Sequence, residues 1–153
     1  MPLQGEYAPA SDRASREQAE RYEATGGTEM AEVEGRPIIV LTSVGAKSGK
    51  IRKHPLMRIE HGGSYAVIAS NGGSQTHPTW YHNLVANPHV ELQDGSVRRD
   101  YYAHEATGLE RERWWYQAEQ TWPYYRDYPR RTDRTIPLFV LTPLPGGSTS
   151  PSS

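Results

Sequence analysis

Apolar residues in this chain arrive in short runs, and turn residues cut the runs about every 8–12 positions. Runs of that length build strands of a small sheet rather than long helices. The clearest is Ile38-Ile39-Val40-Leu41. Its unbroken apolar character predicts a strand over residues 37–42 that is buried on both faces. A second strand is expected over residues 51–60. Pro55 lies inside it and restricts it to an edge or a bulge, because proline has no N–H for a ladder. Strands over 64–70, 90–93, 97–103 and 136–141 bring the number to about six, with Asp94-Gly95 signalling a hairpin between 90–93 and 97–103.

The helical signals are fewer. A polar helix over 11–25 has Ser11 or Asp12 as N-cap and Gly26-Gly27 as its stop. Its apolar face is thin, with Ala14, Ala19 and Tyr22. A short helix over 79–86 begins after Pro78. Thr107 and Glu110 have the spacing of a capping box, so a helix is expected from there to about Thr121. Pro123 ends it, and a turn-like segment spans 124–128. Six short strands with few helices suggest a small barrel rather than an alternating βαβ sheet. The expected organisation is an N-terminal arm with a helix over 1–30 (its first ten residues unstructured), one domain over 31–143, and a disordered tail over 144–153, rich in Pro, Gly and Ser.

Charge and composition narrow the function. The chain has 153 residues, with 17 basic and 18 acidic side chains and a net charge of −1. Bulk attraction to nucleic acid is not expected from such a balance, so any anion site must be local. Cysteine is absent, which removes thiolate chemistry and Cys-zinc sites. The six histidines form no His-x-x-x-His pair, and no metal site is expected. No Gly-x-Ser-x-Gly is present, so nucleophilic catalysis has no support. No apolar run approaches the roughly 18 residues of a membrane span. The N-terminus lacks a leader pattern, which makes the cytoplasm the expected location. Weak association with a membrane surface through the arm is left open, with Glu17, Glu20 and Glu23 opposing anionic lipid.

Three stretches carry candidate chemistry. Lys47, Lys50, Arg52 and Lys53 place four cations within seven residues, in a loop that also holds Gly45, Ser48 and Gly49. Three residues, not four, separate Gly45 from Gly49-Lys50, and Ile51 follows, so this is not a P-loop. It reads either as a solvated basic hairpin or as a phosphate cradle. Ala69-Ser70-Asn71-Gly72-Gly73 ends a strand with small residues that would admit a flat ligand close to the backbone. Seven Trp or Tyr residues lie between Trp114 and Tyr128. Tyr125 and Tyr128 stand among arginines and Asp127, which predicts half-exposed rings suited to stacking and to proton donation.

The order of these pieces resembles a known family. The blocks are 42–52 (Thr-Ser-Val-Gly-Ala-Lys-Ser-Gly-Lys-Ile-Arg), His54-Pro55-Leu56, Ala69 to Gly73, Pro78-Thr79-Trp80-Tyr81-His82-Asn83-Leu84 with Ala86-Asn87-Pro88, and 132–137. They resemble the deazaflavin-dependent nitroreductases of actinobacteria over about residues 37–143. The resemblance implies an FMN-binding-type split β-barrel, mainly β with flanking helices, that binds coenzyme F420, an 8-hydroxy-5-deazaflavin. It implies contacts to the cofactor's phosphate and acidic tail from Lys47, Ser48, Arg52 and Lys53, and from Thr79, Trp80, Tyr81, His82 and Asn83 at a helix start. His54, Pro55 and Met57 would run along the cofactor, and Ile68, Ala69, Ser70 and Asn71 would approach the ring. Tyr125 would lie over the ring and Tyr128 in the substrate pocket, as the catalytic candidates. The implied activity is an oxidoreductase that passes hydride from reduced F420 to a planar, electron-poor small molecule, quinone-like or nitroaromatic, as a monomer or homodimer. Ala46, Asn71, Met57 and Trp122 depart from the family pattern of an additional base, a lysine and two tyrosines, which weakens the expectation of nitroimidazole reduction. A cofactor carrier without turnover, or a flavin mononucleotide enzyme on the same barrel, are the competing readings.

Overall fold

The computed structural model describes residues 3, 5–10 and 12–148. Its elements in order are α1 (Arg13–Ala24), β1 (Glu32–Val33), β2 (Arg36–Val44), β3 (Ile51–Met57), β4 (Glu60–His61), β5 (Ser64–Ile68), α2 (Thr79–Ala86), β6 (His89–Asp94), β7 (Val97–Glu105), α3 (Gly108–Thr121) and β8 (Leu138–Ser148). Three short 3-10 turns lie at Asn71–Gly73, Pro123–Arg126 and Tyr128–Arg131. The strands form one antiparallel sheet in the order β1-β2-β6-β7-β8-β5-β4, with β3 paired to β2.

Alternation along the strands sorts side chains between two layers. On one side Ile39, Leu41, Val67, Leu92 and Leu141 meet Trp80 and Leu84 of α2. On the other, Ala66, Ile68, Leu138 and Val140 meet Ala118 of α3 with Trp122 and Tyr125. The remaining face of β2, Ile38 and Val40, packs under Ala19 and Tyr22 of α1. This explains the unbroken apolar run at 38–41: its even and odd residues serve different helices. Burying each such aliphatic side chain stabilises by about 1.5–3 kcal/mol. Pro55 sits on β3, whose ladder partner is β2, so the edge position inferred from proline holds.

Four expectations change. Thr107 does cap α3, but without a side-chain bond. Glu110 instead meets His104 Nε2 at 3.0 Å. Residues 6–8 are not free: the Ile51 N–H donates to the Glu6 carbonyl at 2.7 Å, and the Ala8 N–H donates to the Ile51 carbonyl at 2.8 Å. Residues 144–148, expected in a disordered tail, continue β8, where Ser148 pairs with Arg99. Residues 149–153 of that tail lie outside the described residues. Tyr125 is buried at 5% exposure rather than half-exposed, because its ring is enclosed by Trp115 and Tyr128.

Candidate functional site

A cavity of about 580 Å³ opens between β3, the end of β5, the start of α2 and the segment after α3. His54, Pro55, Leu56 and Met57 form one wall, and Ile68, Ser70, Asn71 and Gly72 another. Trp122, Tyr125 and Tyr128 close it from the α3 side, and Ser15 and Gln18 of α1 reach its rim. A second cavity of about 360 Å³ is lined by Gly45, Ala46, Lys47, Ser48, Arg52, Thr79, His82 and Asn83. Thr79, the first residue of α2, belongs to both. The N-terminus of α2 therefore opens where the cavities meet, and no side chain caps it. Free amides at a helix start favour an anion.

The basic cavity is built by backbone geometry. Asn83, buried on α2, accepts a bond from the Ala46 N–H at 2.9 Å and donates to Ser43 Oγ at 3.3 Å, which ties the loop to the helix. The Lys50 N–H donates to Ser48 Oγ at 3.1 Å. A Cβ at Gly45 would stand 2.6 Å from that oxygen, so a larger residue there would displace the Ser48 hydroxyl from this bond. Lys47 and Ser48 are exposed, while Arg52 is half-buried. The larger cavity is neutral and aromatic. Burial first, and the Arg52 cation second, push the His54 imidazole down to about 4, so it is uncharged at neutral pH. The Trp122 Nε1–H donates to the Tyr128 hydroxyl at 3.2 Å, and Tyr125 meets the Tyr128 ring edge-on at 5.7 Å. Burial raises the Tyr125 phenol well above its ordinary value, so it stays protonated.

Most of the residues singled out from sequence converge here, with differences in what they can do. Lys47, Ser48, Arg52, Thr79, His82 and Asn83 share the basic cavity, and His54, Pro55, Met57, Ile68, Ser70, Asn71, Trp80, Tyr125 and Tyr128 share the aromatic one. Three stand outside both. Lys53 points across β3 to Glu23 of α1 at 2.7 Å, because neighbouring side chains on a strand face opposite ways. Ala69 is fully buried in the core. Tyr81 packs on His77, ring centroids 4.2 Å apart, and on Phe139. Asn83 lines its cavity with its carbonyl oxygen already engaged by the protein.

Sequence reasoning missed Ser15, Gln18, Val33, Ile38, Thr76 and His77 on the aromatic cavity. Ser15 and Gln18 carry no local signal, since a polar helix face looks the same over a cavity as over water. His77 did have one: it precedes Pro78 and the α2 start, and an imidazole at a helix N-terminus is well placed for a ligand.

The residues present suit a flat ring joined to an anionic chain. The neutral cavity offers aromatic edges and a small-residue wall, and the cationic one continues it past Thr79. Comparison with known proteins gives the same direction. Residues 14–143 match the family model described as F420H(2)-dependent quinone reductase. The F420H(2)-dependent quinone reductase Rv1261c of Mycobacterium tuberculosis is 34% identical over 125 residues, covering 79% of this chain and 84% of that protein. A solved F420-H2 dependent reductase, FDR-A, is 50% identical at a TM-score of 0.66 and covers 69% of this chain and 94% of its own. A structure described as a domain-swapped dimer is 49% identical at a TM-score of 0.68, covering 82% and 95%. HutZ, a heme storage protein of Vibrio cholerae, shares the split-barrel fold at 16% identity, a TM-score of 0.53 and coverage of 74% and 85%. With 130 of its 153 residues matched to the family model, this chain belongs to the F420H(2)-dependent quinone reductase family.

Proposed function

We propose that this member of the family reduces a planar, electron-poor acceptor, quinone-like or nitroaromatic, within the aromatic cavity. The observation that carries the reading is the pair of cavities joined at Thr79, one neutral and one bearing Lys47 and Arg52. When bound, reduced F420 supplies the hydride, as deazaflavins do. The protein's part is binding and orientation. Lys47, Ser48 and Arg52 hold the anionic chain, with the α2 amides beside them. Met57, Ile68 and Ser70 form the walls along the ring, and Trp122 narrows the acceptor's entry. The buried Tyr125 hydroxyl, kept protonated, and Tyr128 are the proton donors we assign to the reduced acceptor.

Anaerobic mixing of the protein and reduced F420 with a quinone and nitroarene panel tests this, read by the return of oxidised-deazaflavin absorbance. Saturable tryptophan quenching by F420 with no acceptor reduced above the protein-free rate would leave a carrier instead. Competition by flavin mononucleotide at equal concentration would favour the flavin reading. The 49% identical domain-swapped dimer supports a homodimer for this chain, which light scattering checks. Among the described residues no helix is long and apolar enough to cross a membrane.

A further inference from the structure

The loop between β5 and α2 forms one wall of the aromatic cavity, and its backbone is unusual. Asn71, Gly72 and Gly73 take successive φ values of 48°, 64° and 81°, all left-handed. Asparagine tolerates this region better than most non-glycine residues, and the Asn71 Nδ2 amide donates to the Thr76 carbonyl at 3.1 Å. Arg134, which follows the last 3-10 turn, adds a second constraint. Its Nη2 donates to the carbonyls of Ala69 at 3.1 Å and Ser70 at 2.8 Å, and its Nε donates to the Ser74 carbonyl at 2.9 Å. Its Nη1 lies 2.8 Å from Nδ1 of His77.

The last contact fixes a proton. A guanidinium has five N–H donors and no acceptor, so His77 Nδ1 must present its lone pair. The imidazole proton is then on Nε2, the nitrogen that Arg134 does not occupy. His77 lines the aromatic cavity, two residues before the Thr79 shared by both cavities. Its ring packs on Tyr81, at 4.2 Å, with His82 beyond at 6.1 Å on the same side. Protonating Nδ1 would set N–H against N–H. Burial first, then the Arg134 cation and His82, lower the pKa of His77, against a smaller opposite effect of Glu105.

We propose that His77 is a neutral hydrogen-bond donor, through Nε2–H, to an oxygen of the bound ligand where the two cavities meet, and that Arg134 is its positioning residue. The inference rests on the F420 reading above and names a contact that reading does not contain. A neutral donor there suits a carbonyl or phosphate oxygen without adding a charge to the ring cavity. Arg134 makes the donor permanent by consuming the other nitrogen.

Two measurements test it. Long-range 1H–15N spectra of the free protein should show His77 as the Nε2–H tautomer, and Arg134→Ala should convert it to a mixture. An Nδ1–H signal in the wild type, or no change in the variant, would overturn the pairing. Arg134→Lys is the second variant: one ammonium cannot span the same four acceptors, so it should restore neither the tautomer nor the affinity. In titrations, His77→Phe should raise the F420 dissociation constant about tenfold, as loss of one hydrogen bond to a ligand does. A change under twofold, with wild-type binding intact, overturns the donor role alone; absence of wild-type binding defeats the cofactor reading and the donor role together. Repeating the titration with the deazaflavin nucleoside, which lacks the phosphate tail, separates the two oxygen sources. An equal loss for both ligands locates the bond on the ring, and a loss only for F420 locates it on the phosphate.

Discussion

The two cavities are built in opposite ways. The aromatic one is walled by buried groups whose positions are over-determined: Trp122 is 7% exposed and bonded to Tyr128, and the Ser70 loop is tied down by Arg134. The basic one is a surface loop whose backbone is fixed by Asn83 and Gly45 while its cations reach into solvent. Under the proposed function the difference separates stability from affinity. The proposed ring site depends on packing, so changes there should cost folding energy. The proposed tail site depends on the charge of exposed cations, so removing one of them should cost affinity and little else.

Deleting the buried indole should break the first half of that contrast most severely. Trp122→Ala is expected to destabilise by about 3–5 kcal/mol, the usual cost of removing a large buried aromatic, in chemical unfolding. An effect below about 1 kcal/mol would mean that the aromatic wall is not pre-built. His54 gives a pH-dependent version. Its pKa falls from 6.5 unfolded to about 4 folded, so the unfolded chain binds the extra proton first. Stability should fall as pH drops from about 6.5 to about 4, by a total on the order of 3 kcal/mol from this group. His54→Gln should flatten that part of the urea-unfolding profile; an unchanged slope would show that other groups produce it.

Asn83→Ala tests the fold of the basic region rather than its charge, since it strands the Ala46 N–H and removes a partner of Ser43. It should cost about 1–3 kcal/mol and also weaken F420 binding, because the loop loses its anchor. Lys47→Ala should leave thermal unfolding unchanged and raise the F420 dissociation constant more than tenfold, with the effect shrinking in high salt. A change under twofold would refute the basic cradle. The smallest effect on binding is expected at Lys53. Its ion pair with Glu23 makes Lys53→Met a stability change of about 1 kcal/mol, with the dissociation constant within twofold. For turnover, Tyr125→Phe and Tyr128→Phe should each slow single-turnover acceptor reduction. If both leave the rate unchanged, the proton comes from water.

The legible part of the site was the part carried by local chemistry. Gly45, Ser48 and the surrounding cations mark an anion loop because turn geometry and charge are both written in adjacent residues. Pro55 marked an edge strand for the same reason, since the missing N–H is a property of one residue. The capping box at Thr107 failed because a side chain has more than one partner within reach, and His104 outcompeted the amide for Glu110. Tyr125 looked exposed from its charged neighbours in sequence, but burial is set by packing: it belongs to the cluster with Ile68, Leu138 and Val140 of the sheet, and its ring meets Trp115 and Tyr128.

Sequence by itself determined the strand periods, the turns, the absence of thiol chemistry and the family to which the chain belongs. Those follow from residue type and spacing over at most a few tens of positions. Only the tertiary structure decided which of Arg52 and Lys53 lines a cavity, that α1 reaches the rim, and that Arg134 ties down the Ser70 wall 64 residues away. Such facts depend on which strand face packs against which helix and on hydrogen bonds between distant segments. Neither leaves a periodic trace in the chain.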